Sequence, residues 1–256
     1  MTIQVRRAAI AALLMGVSAS AVQAEMAAPT APPEAPKFEA QTEPVYVNRS
    51  DIFEFKALPA YSEPAWVTEF VTAGKLPPVA ERLPKEPLVY KTANMPDGPG
   101  VYGDVMRHVI GGRPEGWNYM AGQSQGWGGI DIALSECLTR TAPLFQVDAK
   151  DTEPLPNLAK SWEWSADGHK LTMHLVKGAK WSDGMPLTAD DVLFTYQEIL
   201  ANPKIPNNYY DFWSQDGQLP KIERLDGLTL RFTLVRPFAP FLNNLGAPVL
   251  PQHKLS

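Results

Sequence analysis

A serine flanked by glycines is the first group in the sequence whose spacing could support covalent chemistry. Residues 122–126 (Gly-Gln-Ser-Gln-Gly) match the Gly-x-Ser-x-Gly pattern. In that pattern a sharp turn between a strand and a helix exposes the serine hydroxyl as a nucleophile. Here residues 117–121 lack the pattern of a buried strand, and the Trp-Gly-Gly at 127–129 is a poor start for a helix. A serine hydrolase using Ser124 is therefore kept as an alternative function, not the favoured one.

Cofactor and metal chemistry are weakly indicated. Residues 98–103 (Gly-Pro-Gly-Val-Tyr-Gly) have the letters of a dinucleotide fingerprint, which needs a strand before it and a helix after it. A Pro-Asp turn precedes these residues and a β-like run at 104–110 follows, which favours a loop entering a strand. The four histidines have no metal-ligand spacing, and there is no Cys-x-x-Cys. We therefore expect no cofactor, no metal and no enzyme activity.

Aromatic and amide side chains in two loops are more informative. The five residues that we predict to face a bound solute are Trp117, Gln123 and Trp127 in a glycine-rich loop, and Tyr209 and Trp213 in a second loop. Aromatic rings beside amides suit a cleft that holds a small molecule by stacking and hydrogen bonding. The same rings would equally suit a cover over the core or a seam between domains, so both interpretations stay open.

The elements that would position these loops are clearest after residue 155. Residues 161–165 and 170–176 are predicted as two strands joined by an Asp-Gly turn, and 222–235 as a second hairpin. Thr188 is predicted to cap a helix, with Leu187 packing onto Val192. Two aspartates lie in its positive first turn. The predicted buried stripe of this helix is Val192, Tyr196, Ile199 and Leu200.

The remaining segments give shorter or weaker patterns. We predict a short helix at 64–73, an extended proline-rich arm at 76–87 and strands at 88–92 and 104–110. We also predict a helix at 131–138 that places Ile130, Leu134 and Leu138 on one face. A short helix is expected after Pro237. Residues 249–251 are expected to begin a strand that the chain does not complete.

The N-terminus and the composition limit the location and partners of the protein. Residues 1–24 have the basic start, apolar run and small-residue ending of a secretory signal peptide cleaved after Ala24. Residues 25–75 are predicted as a Pro/Ala-rich linker and arm. The net charge of −5 indicates no nucleic-acid partner. Cys137 is the only cysteine, so no internal disulfide can form.

Several segments together resemble one protein family. The segments are 134–140, 156–163, 165–175 and 177–195, the last with the sequence KGAKWSDGMPLTADDVLFT. They resemble the signature region of the family 5 extracellular solute-binding proteins, the peptide- and nickel-binding components of ATP-driven importers. The hairpin at 226–237 and the run at 250–253 are also similar to the family. Upstream, residues 76–84 and 102–104 resemble a subgroup with an extended N-terminal arm.

The resemblance implies both a fold and a function. The fold is expected to be α/β and periplasmic-binding-protein-like, of type II with an extra small domain. Residues 76–256 would form an incomplete first lobe plus that domain, with the second lobe missing. The implied function is capture of oligopeptides or related solutes in the periplasm, for delivery to an ABC permease and its ATPase. A truncated, non-functional fragment and a periplasmic serine hydrolase are the alternatives.

Overall fold

All described residues fall between Glu43 and Ser256. The structure is a computed structural model, and it describes residues 46–92, 100–101, 134–141, 147–148, 153–205 and 213–256. The predicted signal peptide, the linker up to residue 45 and the predicted strand at 104–110 lie outside these residues. None of the described helices combines the length and apolar character that a membrane crossing requires.

The first described segment forms an arm of short elements. They are a 3₁₀ turn at Arg49–Asp51, strand β1 at Phe53–Phe55, helix α1 at Ala65–Thr72, helix α2 at Val79–Arg82 and strand β2 at Leu88–Tyr90. Strand β1 pairs antiparallel with β2, with Phe53 opposite Tyr90. The predictions of a helix at 64–73 and of a strand at 88–92 are confirmed within a few residues.

The prediction of a fully extended arm at 76–87 is wrong in the middle of that segment. Helix α2 begins directly after Pro78, whose carbonyl accepts hydrogen bonds from the backbone N–H groups of Glu81 and Arg82. The Arg82 guanidinium also forms an ion pair with Glu63. Proline is well tolerated just before or at the first turn of a helix, because the N–H it lacks would have no partner there.

The second described segment carries the main sheet. Its elements are β3 at Thr139–Arg140, β4 at Leu155–Pro156, β5 at Ala159–Trp164, β6 at Lys170–Leu175, α3 at Ala189–Leu193, a π-helix at Phe194–Leu200, β7 at Lys221–Arg224, β8 at Thr229–Thr233, a 3₁₀ helix at Ala239–Asn244 and α4 at Gln252–Leu255. The four-stranded sheet has the order β5-β6-β8-β7, and all its neighbouring strands are antiparallel. Both predicted hairpins are therefore confirmed.

One face of this sheet packs on the helix that lies between β6 and β7 in the sequence. Leu171, Met173, Leu230 and Phe232 alternate with polar residues and lie on the buried face, as the two-residue period predicts. They share one core with Val192, Tyr196 and Leu200 of the helix and with Phe241, Leu242 and Leu245. The sheet, the helix and the 3₁₀ segment thus share a single apolar core, which fixes the ends of the loops that join them.

The helix start follows the sequence prediction. Thr188 and Asp191 form a capping box, and the backbone N–H of Thr188 donates to Asp191 Oδ2 at 2.8 Å. Beyond Leu193 the helix widens, and the N–H of Ala201 bonds the carbonyl of Tyr196, five residues earlier, at 3.2 Å. Such π-helical turns are rare and often occur at functional sites.

Two predicted elements are absent from the described residues where the sequence placed them. The helix at 131–138 does not extend past Leu134, because the carbonyls of Cys137 and Leu138 accept hydrogen bonds from Leu158 and Ala159. As a result Leu134 is 79 % exposed while Leu138 is fully buried. The strand at 249–251 is replaced by a loop leading into α4, because the N–H groups of Val249 and Leu250 bond the carbonyl of Glu136 and the hydroxyl of Thr195.

Candidate solute-binding site

The structure describes one of the five residues that the sequence predicts to face a solute. Trp117, Gln123, Trp127 and Tyr209 lie outside the described residues, as does Ser124. Trp213 is only 4 % exposed, and its ring stacks on Tyr196 with centroids 4.2 Å apart. Its indole Nε1 donates to the carbonyl of Asn244 at 2.7 Å. Trp213 is thus held in the core.

Trp213 also lines a small apolar pocket of about 270 Å³ between the π-helix and the β7–β8 hairpin. The other lining residues are Tyr196, Gln197, Ala201, Leu219, Pro220, Ile222, Phe232 and Phe241. The amide of Gln197 is already used, since its Nε2 donates to the carbonyl of Ile222 at 2.9 Å. The lining therefore offers contact area and few directional hydrogen bonds to a polar solute.

A second pocket, of about 220 Å³, has a more varied lining, and we name it the Trp181 pocket. Three groups of residues line it: Leu134, Ser135 and Glu136; Ala179, Lys180, Trp181, Ser182 and Leu187; and Val249 and Pro251 together with Leu158. It therefore combines one aromatic ring, two hydroxyls, one carboxylate, one ammonium and several apolar side chains. Most ligand pockets combine apolar walls with a few polar groups in this way.

A tight turn holds Trp181 and Ser182 at the pocket. The N–H of Trp181 donates to the carbonyl of Met185 at 2.8 Å, and the N–H of Gly184 donates back to the carbonyl of Trp181 at 2.9 Å. Gly184 has φ of +89°, a conformation that side-chain-bearing residues rarely adopt. The N–H of Leu187 donates to Ala179 and closes the base of the turn at 2.9 Å.

The opposite wall is fixed by contacts between segments far apart in sequence. The N–H of Val249 donates to the carbonyl of Glu136 at 2.9 Å. The Glu136 carboxylate accepts hydrogen bonds through Oε2 from Asn157, at 2.8 Å, and from the Arg140 guanidinium. Burial of Arg140 is the largest single influence on its pKa and lowers it, but the hydrogen bond and charge of Glu136, together with Tyr90, outweigh burial and raise the pKa of the guanidinium. Glu136 is therefore held in place as a partly neutralised acceptor.

An ion pair lies beside the pocket at the end of the same turn. Asp183 Oδ2 is 2.8 Å from His253 Nε2 and 3.3 Å from Lys254 Nζ, both on α4. The hydrogen bond from His253, helped by the backbone N–H of Met185, lowers the pKa of Asp183 to about 2. The turn that carries Trp181 is thereby tied to α4. Within the described ranges no three His, Cys, Asp or Glu side chains group as a metal site.

Sequence reasoning missed the Trp181 pocket. In this region it predicted the helix start at Thr188, which is correct, but no pocket beside it. The available signal was a tryptophan next to a Ser-Asp-Gly turn, where an aromatic ring projects from a short rigid loop. The contribution of residues 134–136 and 249–251 gave no local signal, because tertiary contacts bring them to the pocket.

Comparison with known proteins agrees with this architecture. Residues 153–254 match the family described as bacterial extracellular solute-binding proteins, family 5 Middle. The chain is 62 % identical over 229 residues to a periplasmic alpha-galactoside-binding protein of Rhizobium meliloti, covering 89 % of this chain and 33 % of that protein.

Two solved structures are also similar. A periplasmic binding protein of Agrobacterium fabrum, MelB in complex with stachyose, superposes with a TM-score of 0.71 at 60 % identity, covering 88 % of this chain and 34 % of that one. The oligopeptide-binding protein OppA superposes with a TM-score of 0.57 at 33 % identity, covering 77 % and 28 %.

These matches confirm the family expected from the sequence, and with it the α/β, periplasmic-binding-protein-like fold. The chain spans about one third of the length of the R. meliloti relative. The role of the five predicted solute-facing residues stays a prediction. Over residues 153–254 the chain therefore matches the family 5 bacterial extracellular solute-binding proteins, and it corresponds to part of the length of its relatives.

Proposed function

We propose that this chain is part of the periplasmic substrate-binding component of an ABC importer and that its solute is an α-galactoside oligosaccharide. The observation that carries the proposal is the 62 % identity to a periplasmic alpha-galactoside-binding protein, sustained over 229 residues. The similarity to OppA is much lower, at 33 % identity. The sequence analysis favoured oligopeptides; the higher identity supports an oligosaccharide instead.

The residues of the chain suit this class of solute. Sugars present flat apolar faces to aromatic rings and a ring of hydroxyls to amides and carboxylates. The predicted loop residues Trp117, Gln123 and Trp127 supply both kinds of group, and so does the described Trp181 pocket. A solute with no net charge needs no buried counter-charge, whereas a peptide brings two charged termini that must be paired when desolvated.

The mechanism that we propose is closure of two lobes around the solute, followed by docking on a membrane permease driven by an ATPase. Solute stabilises the closed state because it contacts both lobes only there, which shifts the population toward closure. The described sheet and helix would serve as a rigid part of one lobe. Their single apolar core supports rigid-body movement over bending.

Calorimetric titration of the natural full-length protein tests this proposal. Stachyose is expected to bind, whereas maltotetraose, which has the same number of rings but no α-galactosyl group, and trialanine are expected to bind at least about tenfold more weakly. Maltotetraose is the matched control for size and hydroxyl content. Binding of trialanine without stachyose would support the peptide alternative and contradict the proposal.

The hydrolase alternative has its own test. If Ser124 were a nucleophile, the protein would turn over a chromogenic ester and Ser124→Ala would abolish that turnover. We expect no turnover by either form, and unchanged stachyose affinity in the variant. A non-functional fragment, the third alternative, predicts that none of the three titrated compounds binds to the full natural product.

A further inference from the structure

We propose that the Trp181 pocket is a subsite for one outer sugar ring of a longer oligosaccharide. This inference rests on the proposed function and deepens it, because it assigns a second contact region to the same class of solute. The pocket has a volume of about 220 Å³. At about 30 Å³ of liquid volume per water molecule, the pocket holds roughly seven water molecules. This is enough room for one sugar ring but not for a whole tetrasaccharide.

The indole of Trp181 provides the flat surface that a sugar ring needs. The ring packs against the apolar core that contains Leu187 and Val249, so its position is fixed by packing as well as by the turn. Its Nε1 atom is buried and has no acceptor among the described residues. A buried donor in this state is normally matched by ordered water or by a ligand.

Two hydroxyls and one carboxylate surround this surface. Ser135 and Ser182 both line the pocket, and their hydroxyls make no hydrogen bond to another described residue. Glu136 uses Oε2 for Asn157 and Arg140, which leaves Oε1 without a partner in the described part of the chain. The pocket therefore presents two groups that both donate and accept and one acceptor. Neighbouring sugar hydroxyls need this mixture.

The charged groups in the pocket lining are the Glu136 carboxylate and the Lys180 ammonium. The Lys180 ammonium donates to the backbone carbonyl of Glu81 at 2.6 Å. The negative charge of Glu136 is balanced by Arg140. The Lys180 ammonium keeps two further donors that sugar hydroxyls can accept, and a polyhydroxy ring requires no counter-charge.

The test uses the natural full-length protein and a series of α-galactosides of increasing length. Melibiose, raffinose and stachyose have two, three and four rings. Trp181→Ala is expected to weaken stachyose binding by about tenfold and to leave melibiose binding within about twofold. Trp66→Ala is the matched control, because Trp66 lies on α1 and is 53 % exposed outside the pocket. We expect it to change neither affinity.

A second pair of variants guards against a loss of folding. Trp181→Phe keeps an aromatic ring, and the double variant Ser135→Ala with Ser182→Ala leaves the packing of the apolar core intact. The tryptophan fluorescence of Trp181 is obtained as the difference between the wild-type and Trp181→Phe spectra. This difference is expected to change when stachyose is added but not when melibiose is added. The double variant is expected to weaken stachyose binding by about threefold to tenfold.

The outcomes separate this inference from the proposed function. If wild type binds stachyose and every pocket variant binds it equally well, the subsite is refuted while the proposed function stands. If a folded Trp181→Ala variant binds all three sugars more weakly by the same factor, the subsite is also refuted, because the contribution of Trp181 would then not depend on the number of sugar rings. If the wild-type protein binds no α-galactoside, both proposals fail. That result comes from the wild-type titration alone, so it is distinguished from a failure of the subsite.

Discussion

The carboxylate of Asp191 joins the start of a helix to the segment leading into the last one: its Oδ1 accepts the backbone N–H of Gln252 at 2.9 Å. Its other oxygen accepts the N–H of Thr188 in the capping box. The residue is only 4 % exposed. One side chain therefore serves two backbone donors, one local and one distant.

Replacement of Asp191 by alanine is expected to lower the free energy of unfolding by about 2 to 4 kcal/mol. The helix loses its cap, and the N–H of Gln252 loses its partner. Urea denaturation of the full-length protein, followed by far-UV circular dichroism, measures the effect. Asp190→Ala is the matched control, because Asp190 only pairs with Arg224 at the surface and its loss is expected to cost about 1 kcal/mol or less. Equal losses in both variants would contradict the bridging role.

Thr195 makes a second link between the same two segments. It is fully buried, donates through Oγ1 to the carbonyl of Asp191 at 2.7 Å and accepts the N–H of Leu250 at 2.8 Å. Thr195→Val keeps the shape but leaves the Leu250 N–H unpaired, so a loss of about 1 to 3 kcal/mol is expected in the same denaturation experiment. Thr233→Val, on the outer face of β8, should change stability by less than about 0.5 kcal/mol. A Thr195→Val variant as stable as wild type would show that another group can satisfy Leu250.

The ion pair between Asp183 and α4 predicts a pH dependence. The pKa of Asp183 falls from 3.8 to about 2 in the folded protein, chiefly through the His253 hydrogen bond. A lowered pKa means that the carboxylate contributes its stability in full above about pH 4 and loses it as the pH falls through about 2. Wild type should therefore lose more melting temperature between pH 4.5 and pH 3 than Asp183→Asn does.

The partner residue gives the control for that experiment. His253→Gln removes the main cause of the shift, so its melting temperature should depend on acid pH less steeply than that of wild type. Scanning calorimetry at several pH values measures both variants. Parallel curves for wild type and Asp183→Asn would contradict a role for this carboxylate in acid stability.

Gly168 is expected to tolerate no side chain in its turn. Its φ is +70°, and a Cβ at this position would lie 3.2 Å from the Cβ of Pro237. Gly168→Ala should cost about 1 to 2 kcal/mol from the backbone conformation alone, before any steric clash. Gly227→Ala in the second hairpin is the control, because its φ lies outside the left-handed region and a Cβ there meets nothing within 4 Å. Thermal denaturation of the two variants decides the point, and a Gly168→Ala variant as stable as Gly227→Ala would contradict it.

Substitutions of the five predicted solute-facing residues are expected to affect either the stability or the solute affinity of the protein. Trp213→Ala should destabilise the protein by about 3 to 5 kcal/mol, because it empties a stacked core position. Trp117→Ala, Gln123→Ala, Trp127→Ala and Tyr209→Ala should each weaken stachyose binding by about threefold or more, with melting temperatures close to that of wild type. Calorimetric titration together with thermal melts checks both quantities. Unchanged affinity in all four would contradict the prediction.

Local physics was enough to predict the hairpins and the capped helix. The turn at Gly168 and the pairing of Thr188 with Asp191 depend on residues within a few positions of each other. The segments around Leu134 and Val249 could not be predicted in the same way, because each is shaped by hydrogen bonds to the other or to distant strands. The Trp181 pocket was missed for the same reason, since two of its three walls come from these segments.

The π-helix at Phe194–Leu200 has a consequence for comparing this chain with its relatives. A helix whose hydrogen bonds span five residues contains one residue more than an α-helix with the same number of turns. A relative with an ordinary helix here would need a one-residue gap in alignment between these positions. Placing that gap elsewhere would shift Tyr196 or Leu200 onto a non-equivalent face and pair core positions with surface ones.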